Sequence, residues 1–459
     1  MKDKENIMGM TESVCPVCLK RIAAQRVEAG DKVYLDKTCP DHGNFRTIIW
    51  RGQPSYKSWS VAKLPSRPPV CAADVKQGCP FDCGLCPEHR QHTCCVLLEV
   101  TQSCNLSCPV CFAEACTVAD DPDIREIESW YRLLLNSGGP YNIQLSGGEP
   151  TLRDDLPEIV ALGRNLGYDF IQVNTNGLRL ARDPGYVKRL KEAGLSCVFL
   201  QFDGTNDTIY DKLRGHALFA EKQAAIANCA KEQLGVVLVP TLVPGVNTQD
   251  IGMIIEYAIE RMPVVRGVHF QPISYFGRYP QEPSDEDRIT IPEVINEIAR
   301  QTGGKIKITD FRPPMGENAY CSFHGNFVLM ENGELKSWTK AGSSGCCQPQ
   351  SAAVGARKAR TFVAKRWAAP QSEEKKYGED KNEKSSSMNI DSLDTFLDRV
   401  DTYSFCISGM AFQDVWNLDL ERLRECFIHV VSPDNRIIPF CAYNLTDRQG
   451  NPLYRSLKR

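Results

Sequence analysis

The order of apolar and polar positions predicts a central region in which strands alternate with helices. Between about 96 and 310, short runs rich in β-branched residues alternate with segments of helical periodicity. The predicted strands are 96–100, 142–146, 169–173, 196–202, 236–240 and 267–271. Right-handed crossovers between parallel strands curl such an array into a partial barrel, with functional groups at the C-terminal strand ends. The pattern therefore predicts an α/β fold with a partial (βα)6 barrel.

The regions on either side of 96–310 predict smaller units. Residues 1–60 carry a Cys-x-x-Cys pair and a Cys-x-x-His pair around alternating runs typical of short strands, and 61–95 combine a proline-rich extended linker with more cysteines. Residues 311–390 contain a predicted helix at 352–367 and a charged stretch predicted to be disordered. The final region, 391–459, is predicted to be a C-terminal module with cysteines among aromatic and apolar residues.

Composition narrows the classes of partner. The 459 residues carry a net charge of −3, with acids and bases interleaved, so no basic stripe predicts nucleic-acid binding. No apolar run approaches the roughly 18 residues that cross a bilayer, and the first residues lack a signal-peptide apolar region. The expected location is the cytoplasm, and several oxygen-labile clusters would suit an anaerobic one. The 21 cysteines fall into short C-x-x-C groups, which favour metal binding over disulfides.

The most informative cysteines follow the first predicted strand. Cys104, Cys108 and Cys111 have the spacing C-x-x-x-C-x-x-C. Three thiolates can hold three irons of a four-iron, four-sulfur cluster and leave the fourth iron open to a small molecule. The alternative is a zinc site, which needs a fourth ligand such as Cys116.

A second motif follows the strand at 142–146. It consists of Gly147, Gly148, Glu149 and Pro150. Paired glycines often only reverse the chain, but they also allow close backbone approach, and Glu149 offers an acceptor for an ammonium group. Polar groups that could hold ribose hydroxyls follow the next two strands, at Asn174, Asn176, Gln201 and Asp203.

In this order, the two motifs resemble those of the radical S-adenosylmethionine (SAM) superfamily. The resemblance implies that the open iron binds the amino and carboxylate groups of SAM, and that the Gly-Gly-Glu-Pro segment helps hold its amino end. It implies an enzyme that reductively cleaves SAM to a 5′-deoxyadenosyl radical, which abstracts hydrogen from an unactivated C–H. An electron donor such as flavodoxin or ferredoxin is then expected.

The remaining cysteines predict further metal sites. Cys79, Cys83 and Cys86 repeat the C-x-x-x-C-x-x-C spacing before the barrel, which predicts an auxiliary four-iron cluster completed by Cys94. His89, Cys95 and Cys71 are alternatives for the fourth ligand, and zinc is an alternative metal.

The first and last cysteines complete the predicted set. A structural zinc or a mononuclear iron is predicted at Cys15, Cys18, Cys39 and His42. A second auxiliary cluster is predicted at Cys321, Cys406, Cys426 and Cys441, with buried thiols as the alternative. The adjacent Cys346 and Cys347 suggest an exposed redox or ligand site.

Longer stretches support a narrower resemblance. The N-terminal knuckle, GCPFDCGLCPEHRQHTC and EVTQSCNLSCPVCFAEA resemble the archaeal tetraether lipid synthases and the methanopterin-precursor methylases. SFCISGMAFQDVWNLDLERLR and IPFCAYNLT resemble a bacterial branch called TrsS, a resemblance that covers essentially the whole chain. These resemblances imply carbon–carbon bond formation or methyl transfer on a small or lipid-like substrate. The alternatives are a maturase that modifies a peptide or protein, and a multi-cluster electron carrier or scaffold.

Overall fold

The structure is a computed structural model, and it describes residues 5–115, 121–339, 349–369 and 399–455. Cys116, the Cys346–Cys347 pair and the charged stretch predicted to be disordered lie outside these ranges. Within them, no helix is both long and apolar enough to span a bilayer.

The N-terminal region is a four-stranded antiparallel sheet. Its strands are β1 (Asn6–Val14), β2 (Arg21–Ala29), β3 (Lys32–Cys39) and β4 (Gly43–Arg51), paired in chain order. The turn after β1 carries Cys15 and Cys18, and Cys39 at the end of β3 is followed by His42 in the next turn. Polar contacts join this sheet to the C-terminal region: Thr11 Oγ1 donates to the Asp419 carboxylate at 2.8 Å, and Arg26 forms an ion pair with the same carboxylate.

Six parallel strands form the centre of a second, larger sheet. They are β6 (Cys95–Thr101), β7 (Asn142–Gly147), β8 (Ile171–Thr175), β9 (Cys197–Gln201), β10 (Gly235–Val239) and β12 (Val265–Pro272). They lie side by side in that order, and each pairs in parallel with the next. All six predicted strands are present within a few residues, and the predicted α/β fold class is confirmed.

Helices connect these strands and bury their apolar faces against the sheet. They are α1 (Ile124–Asn136), α2 (Leu156–Asn165), α3 (Leu178–Arg182), α4 (Pro184–Glu192), α5 (Asp207–Arg214), α6 (Phe219–Lys231), α7 (Ile251–Ile259) and α8 (Ile291–Gln301). Local sequence fixes several starts: Asp123 and Asn206 accept backbone hydrogen bonds as N-caps, and Thr290 with Glu293 forms a capping box.

The last third of the chain adds strands to both edges of the large sheet. Next to β12 lie β16 (Ser404–Met410), β13 (Ser322–Leu329) and β14 (Leu335–Ser337); next to β6 lie β17 (Ile428–Val431) and β18 (Ile437–Pro439). The region 391–459, predicted as a separate module, thus contributes to the sheet that carries the barrel strands. Three short strands complete the set, namely β5 (Lys63–Leu64), β11 (Thr241–Leu242) and β15 (Gln350–Ser351).

Helix α9 (Ala352–Trp367) spans the predicted range 352–367 and lies across the N-terminal ends of the barrel strands. The backbone carbonyl of Arg360 accepts a hydrogen bond from Asn142, the first residue of β7. A Cβ added to Gly235, the first residue of β10, would lie 2.5 Å from the carbonyl oxygen of Trp367. The interior of the barrel is therefore closed at this end by α9. Two short helices, Leu420–Arg424 and Phe440–Tyr443, complete the C-terminal region.

Candidate active site

The barrel encloses a cavity of about 520 Å³, which is within the usual range for a small-molecule site. Side chains from β6 to β10, β12, β13 and β16 line it, and α9 contributes residues at the N-terminal end of the barrel. The loop after β6 and the Gly-Gly-Glu motif line it at the C-terminal strand ends. Both motifs found in the sequence therefore face one enclosed space.

The loop after β6 places Cys104, Cys108 and Cys111 together on the cavity wall. Burial is the main reason that the pKa of Cys104 rises to about 12, and the neighbouring thiols add to it. Arg278 fixes the loop, since its backbone exchanges two hydrogen bonds with Cys111 and its Nε donates to the Cys108 carbonyl at 2.9 Å. A bound metal would replace the thiol protons, so this half-buried trio suits a cluster.

The two glycines of the second motif hold the cysteine loop against β7. The N–H groups of Gly148 and Glu149 donate to the carbonyls of Thr101 and Ser103, both at 2.8 Å. A Cβ on Gly147 would lie 1.9 Å from the Thr101 oxygen, and one on Gly148 would lie 2.2 Å from the Ser103 oxygen. Gly147 also has φ of 124°, which disfavours other residues. The glycines are thus required by close contact with the loop that begins the cysteine motif.

The carboxylate of Glu149 is buried and held by four donors. Its Oε1 accepts from the Thr151 N–H at 3.1 Å, the Thr151 hydroxyl at 2.5 Å and the Thr175 hydroxyl at 2.6 Å. Among the described residues, its Oε2 accepts from the Asn176 N–H alone, at 2.7 Å. Because a carboxylate oxygen can accept more than one hydrogen bond, Oε2 retains capacity for an ammonium group. Pro150, next to it, begins a single 3₁₀ turn.

The polar residues predicted to hold ribose have different surroundings. Asn174, Asn176 and Gln201 line the cavity, and Asn176 Nδ2 donates to Asn105 at 2.7 Å. Asp203 is absent from the cavity wall and instead forms a bidentate ion pair with Arg214, at 2.7 and 2.8 Å. The structure therefore gives Asp203 the task of orienting Arg214, which does line the cavity.

Arg214 was missed by sequence reasoning, because nothing in the spacing of α5 distinguishes it from a surface arginine. A second missed feature is a set of amides on inward-facing strand positions: Asn142, Gln144, Gln172, Asn174, Gln271 and Asn326. The alternation of amides in Asn-Ile-Gln and Gln-Val-Asn was a signal that could have revealed it.

Two of these amides have acceptor atoms without partners in the described part of the chain. Gln172 donates to Gln144 at 2.8 Å, which leaves its own Oε1 buried and unpaired, and Asn174 Oδ1 is likewise unpaired. Further along the wall, His269 Nδ1 lies 2.9 Å from the Ser408 hydroxyl, and burial lowers the pKa of this histidine to about 4. The wall therefore presents uncharged polar groups to a ligand.

The predicted auxiliary trio, Cys79, Cys83 and Cys86, borders a second, small cavity, which His89 also lines. Neighbouring thiols contribute to a raised pKa at Cys83, with its hydrogen bond to Cys79 as the largest cause. Cys94 is not brought to this group. It stands at the start of β6, packs with Met410 and Phe427, and faces the large cavity, because the strand directs it there.

The N-terminal cysteines form the tightest group. The ligand atoms of Cys15, Cys18, Cys39 and His42 all lie within 4.8 Å of one another. The distance is 3.6 Å from Cys15 Sγ to His42 Nδ1 and 4.0 Å between the sulfurs of Cys18 and Cys39. This arrangement fits a single tetrahedral metal ion.

Three of the four late cysteines lie near one another. Arg422 donates to Cys321 Sγ at 3.6 Å and interacts electrostatically with Cys441. The Cys426 thiol interacts electrostatically with Cys441 and Cys321. Burial is the main cause that raises the pKa of Cys426. Cys406 does not join them, because β16 places it between Gly267 and Asn326 on the wall of the large cavity.

Comparison with known proteins agrees with this geometry. The model of the radical SAM superfamily matches residues 98–258, and that of the HMPTM N-terminal zinc ribbon domain matches residues 7–51. The chain belongs to the radical SAM superfamily and is a radical SAM enzyme, as predicted, so its cofactors include a four-iron, four-sulfur cluster and SAM.

Similarity to one relative extends over nearly the full length. The chain is 36% identical to 7,8-dihydro-6-hydroxymethylpterin dimethyltransferase of Methanocaldococcus jannaschii, over 96% of this chain and 94% of that protein. It is 34% identical to Fe-coproporphyrin III synthase of Methanosarcina barkeri, over 40% of this chain and 45% of the other. Among solved structures, Streptococcus suis SuiB is 14% identical, covers 46% of each chain and has a TM-score of 0.38.

Proposed function

We propose that this enzyme forms a carbon–carbon bond, by methyl transfer, at an unactivated carbon of a small polar ring compound bound in the barrel. One SAM takes up the hydrogen of that carbon as it becomes 5′-deoxyadenosine and methionine, a second SAM gives up its methyl group and becomes S-adenosylhomocysteine, and the electron donor supplies two electrons. The observation that carries the proposal is the set of strand amides, among them Gln172 and Asn174, that line the same cavity as the cysteine trio. Amide side chains offer both donors and acceptors, so they indicate a polar ligand. The long relative, a pterin dimethyltransferase, has a substrate of this kind.

The residues present fit the two cofactors of the superfamily. Cys104, Cys108 and Cys111 would hold the cluster, which when bound supplies the electron and the open iron for SAM cleavage. Glu149 would accept the ammonium group of SAM through Oε2, and Arg214 would offer a cation to its carboxylate. The protein's own contribution is to orient both partners in a space from which α9 excludes water at one end.

Further metals have supporting roles in the proposal. The trio Cys79, Cys83 and Cys86 would hold an auxiliary cluster. Its fourth ligand would be either His89 or a small molecule. The group at Cys15 would hold zinc or a single iron. The thiols of Cys321, Cys426 and Cys441 would hold a second auxiliary cluster. Reduction requires an electron donor such as flavodoxin or ferredoxin.

A second candidate is coupling of alkyl chains, and it is favoured by the aromatic part of the cavity wall. Phe276, Phe412, Phe427 and Phe440 line it and offer apolar surface. A lipid-like substrate would place its reacting carbon there. The amides at the inward-facing strand positions would then contact only the head group of the lipid.

One experiment separates these functions from an electron carrier. The reconstituted protein is incubated anaerobically with dithionite, SAM and either 7,8-dihydro-6-hydroxymethylpterin or a diether lipid, and the products are analysed by mass spectrometry. We expect 5′-deoxyadenosine and a pterin product that has gained 14 mass units per methyl group, as methyl replaces hydrogen. Loss of two hydrogens for each new bond, seen only in the lipid reaction, favours alkyl coupling. Absence of 5′-deoxyadenosine, with no effect of SAM on the electron paramagnetic resonance (EPR) spectrum of the cluster, refutes the enzyme proposal.

A further inference from the structure

Among the described residues that line the large cavity, two carry a carboxylate, Glu149 and Glu317. Glu149 has four hydrogen-bond donors and adjoins the cysteine trio. Glu317 is only 5% exposed, and its carboxylate accepts from the Ser322 hydroxyl and from its own backbone N–H. Its remaining acceptor sites have no use in the chemistry assigned to SAM.

The surrounding segment holds Glu317 in place from its backbone. The carbonyl of Gly316 accepts hydrogen bonds from Gln91 at 2.6 Å and from Lys63 at 3.2 Å. Ser322 begins β13, so its hydroxyl approaches Glu317 from the barrel wall. The carboxylate is therefore positioned by three separate parts of the chain, in the manner of a binding group supported by a rigid scaffold.

A structural ion pair with Lys63 is the simpler explanation for a buried glutamate. Burial raises the pKa of Glu317, and the charge of Lys63 opposes this rise. The Lys63 ammonium donates to the Gly316 carbonyl, and the two side chains form no salt bridge within the described ranges. Two donors leave a buried carboxylate with unused acceptor sites, which are costly unless further donors reach them. Because no other described side chain supplies them, a ligand is the natural source.

We propose that Glu317 binds the amidine-type edge of the substrate, in which two neighbouring N–H groups point the same way. This inference rests on the proposed function, since it describes how the ring compound is held. A carboxylate accepts two parallel N–H bonds, and hydrogen bonds to a charged group are stronger than neutral ones. The unpaired oxygens of Gln172 and Asn174 extend the same preference for a ligand rich in donors. The 2-amino-4-oxo ring of a pterin has such an edge.

The test measures binding and radical formation separately. The affinity of reconstituted wild-type protein, Glu317→Gln and Glu317→Ala for 7,8-dihydro-6-hydroxymethylpterin is measured by calorimetry, with SAM present and reductant absent. A second probe is the analogue whose 2-amino group is replaced by oxygen, which would turn a carbonyl toward the carboxylate. Glu331→Gln, an exposed change after β13, is the matched control. Release of 5′-deoxyadenosine on adding dithionite reports radical formation.

We expect Glu317→Gln to weaken pterin binding roughly 10- to 100-fold, because it loses the charge and one acceptor. The analogue should bind the wild type weakly, and Glu317→Gln should change its affinity little. Glu331→Gln should match the wild type in every measurement.

Two results would overturn the inference: equal pterin affinity of the wild type and Glu317→Gln, or no pterin binding by a wild type that still cleaves SAM. In the first case the proposed function stands and only the role of Glu317 is wrong, whereas in the second the proposed substrate is wrong although the radical chemistry stands. If Glu317→Gln loses its clusters, Ser322→Ala provides the second variant. It retains the carboxylate but removes the hydroxyl that positions it, so pterin affinity should fall several-fold, and affinity equal to that of the wild type would count against the inference.

Discussion

Replacing Glu149 by glutamine tests whether its carboxylate, as opposed to its shape, holds SAM. Both oxygens accept from a backbone N–H, Oε1 from Thr151 and Oε2 from Asn176. An amide in either orientation therefore turns its NH₂ toward a buried N–H donor. Leaving a buried donor unsatisfied costs about 1–3 kcal/mol, and loss of a charged partner for an ammonium costs about 1.5–3 kcal/mol.

We expect Glu149→Gln to weaken SAM binding about 10- to 100-fold, since about 1.4 kcal/mol corresponds to a factor of ten. Equilibrium dialysis with labelled SAM measures the affinity, and the effect of SAM on the EPR spectrum of the reduced cluster shows whether binding reaches the open iron. Thr175→Val is the matched comparison, because it removes one of the four donors and keeps the charge. It should cost about 1 kcal/mol, or roughly fivefold. SAM affinity that is equal in Glu149→Gln and the wild type would refute the role of the carboxylate.

Three further predictions concern regions around the cavity. Burial lowers the pKa of Lys222 to about 8, whereas in the unfolded chain the pKa of a lysine is roughly 10.4. Between these two pH values the unfolded state binds more protons, so the unfolding free energy of the apoprotein should rise with pH by up to about 3 kcal/mol relative to Lys222→Met. Chemical denaturation at pH 7.5 and 10 measures it, and parallel changes in both proteins would contradict it. Tyr454→Phe frees the Cys83 N–H, which donates to the tyrosine oxygen at 3.0 Å, and should alter the auxiliary-cluster EPR signal but not that of the SAM cluster; unchanged spectra would exclude this coupling. Cys15→Ala should remove one metal atom by elemental analysis and leave the iron–sulfur spectra intact, and loss of cluster iron would show that the ribbon supports the barrel.

Features set by local sequence could be predicted well. Alternating apolar runs define the six barrel strands, and helix α9 appears at its expected bounds because its periodicity lies within one segment. The groups at Cys104 and Cys15 could be predicted from the sequence for the same reason, since their ligands come from single loops or adjacent turns. In each case the residues that must meet are already close along the chain.

Long-range placement accounts for what the sequence did not show. Cys94 is only eight residues from Cys86, yet it directly precedes β6 and lines the large cavity, whereas Cys86 lines the small one. Cys406 resembles the other late cysteines in composition, but its position between β12 and β13 is decided by strand order, which no local signal encodes. The same limit hid Glu317, because the segments that position it come from residues 63, 91 and 322. A buried carboxylate becomes recognisable as a binding group only when its donors can be counted, and that count depends on the folded chain. The sequence therefore identifies the chemistry of the cofactor site, whereas the groups that select the substrate emerge from how distant segments meet.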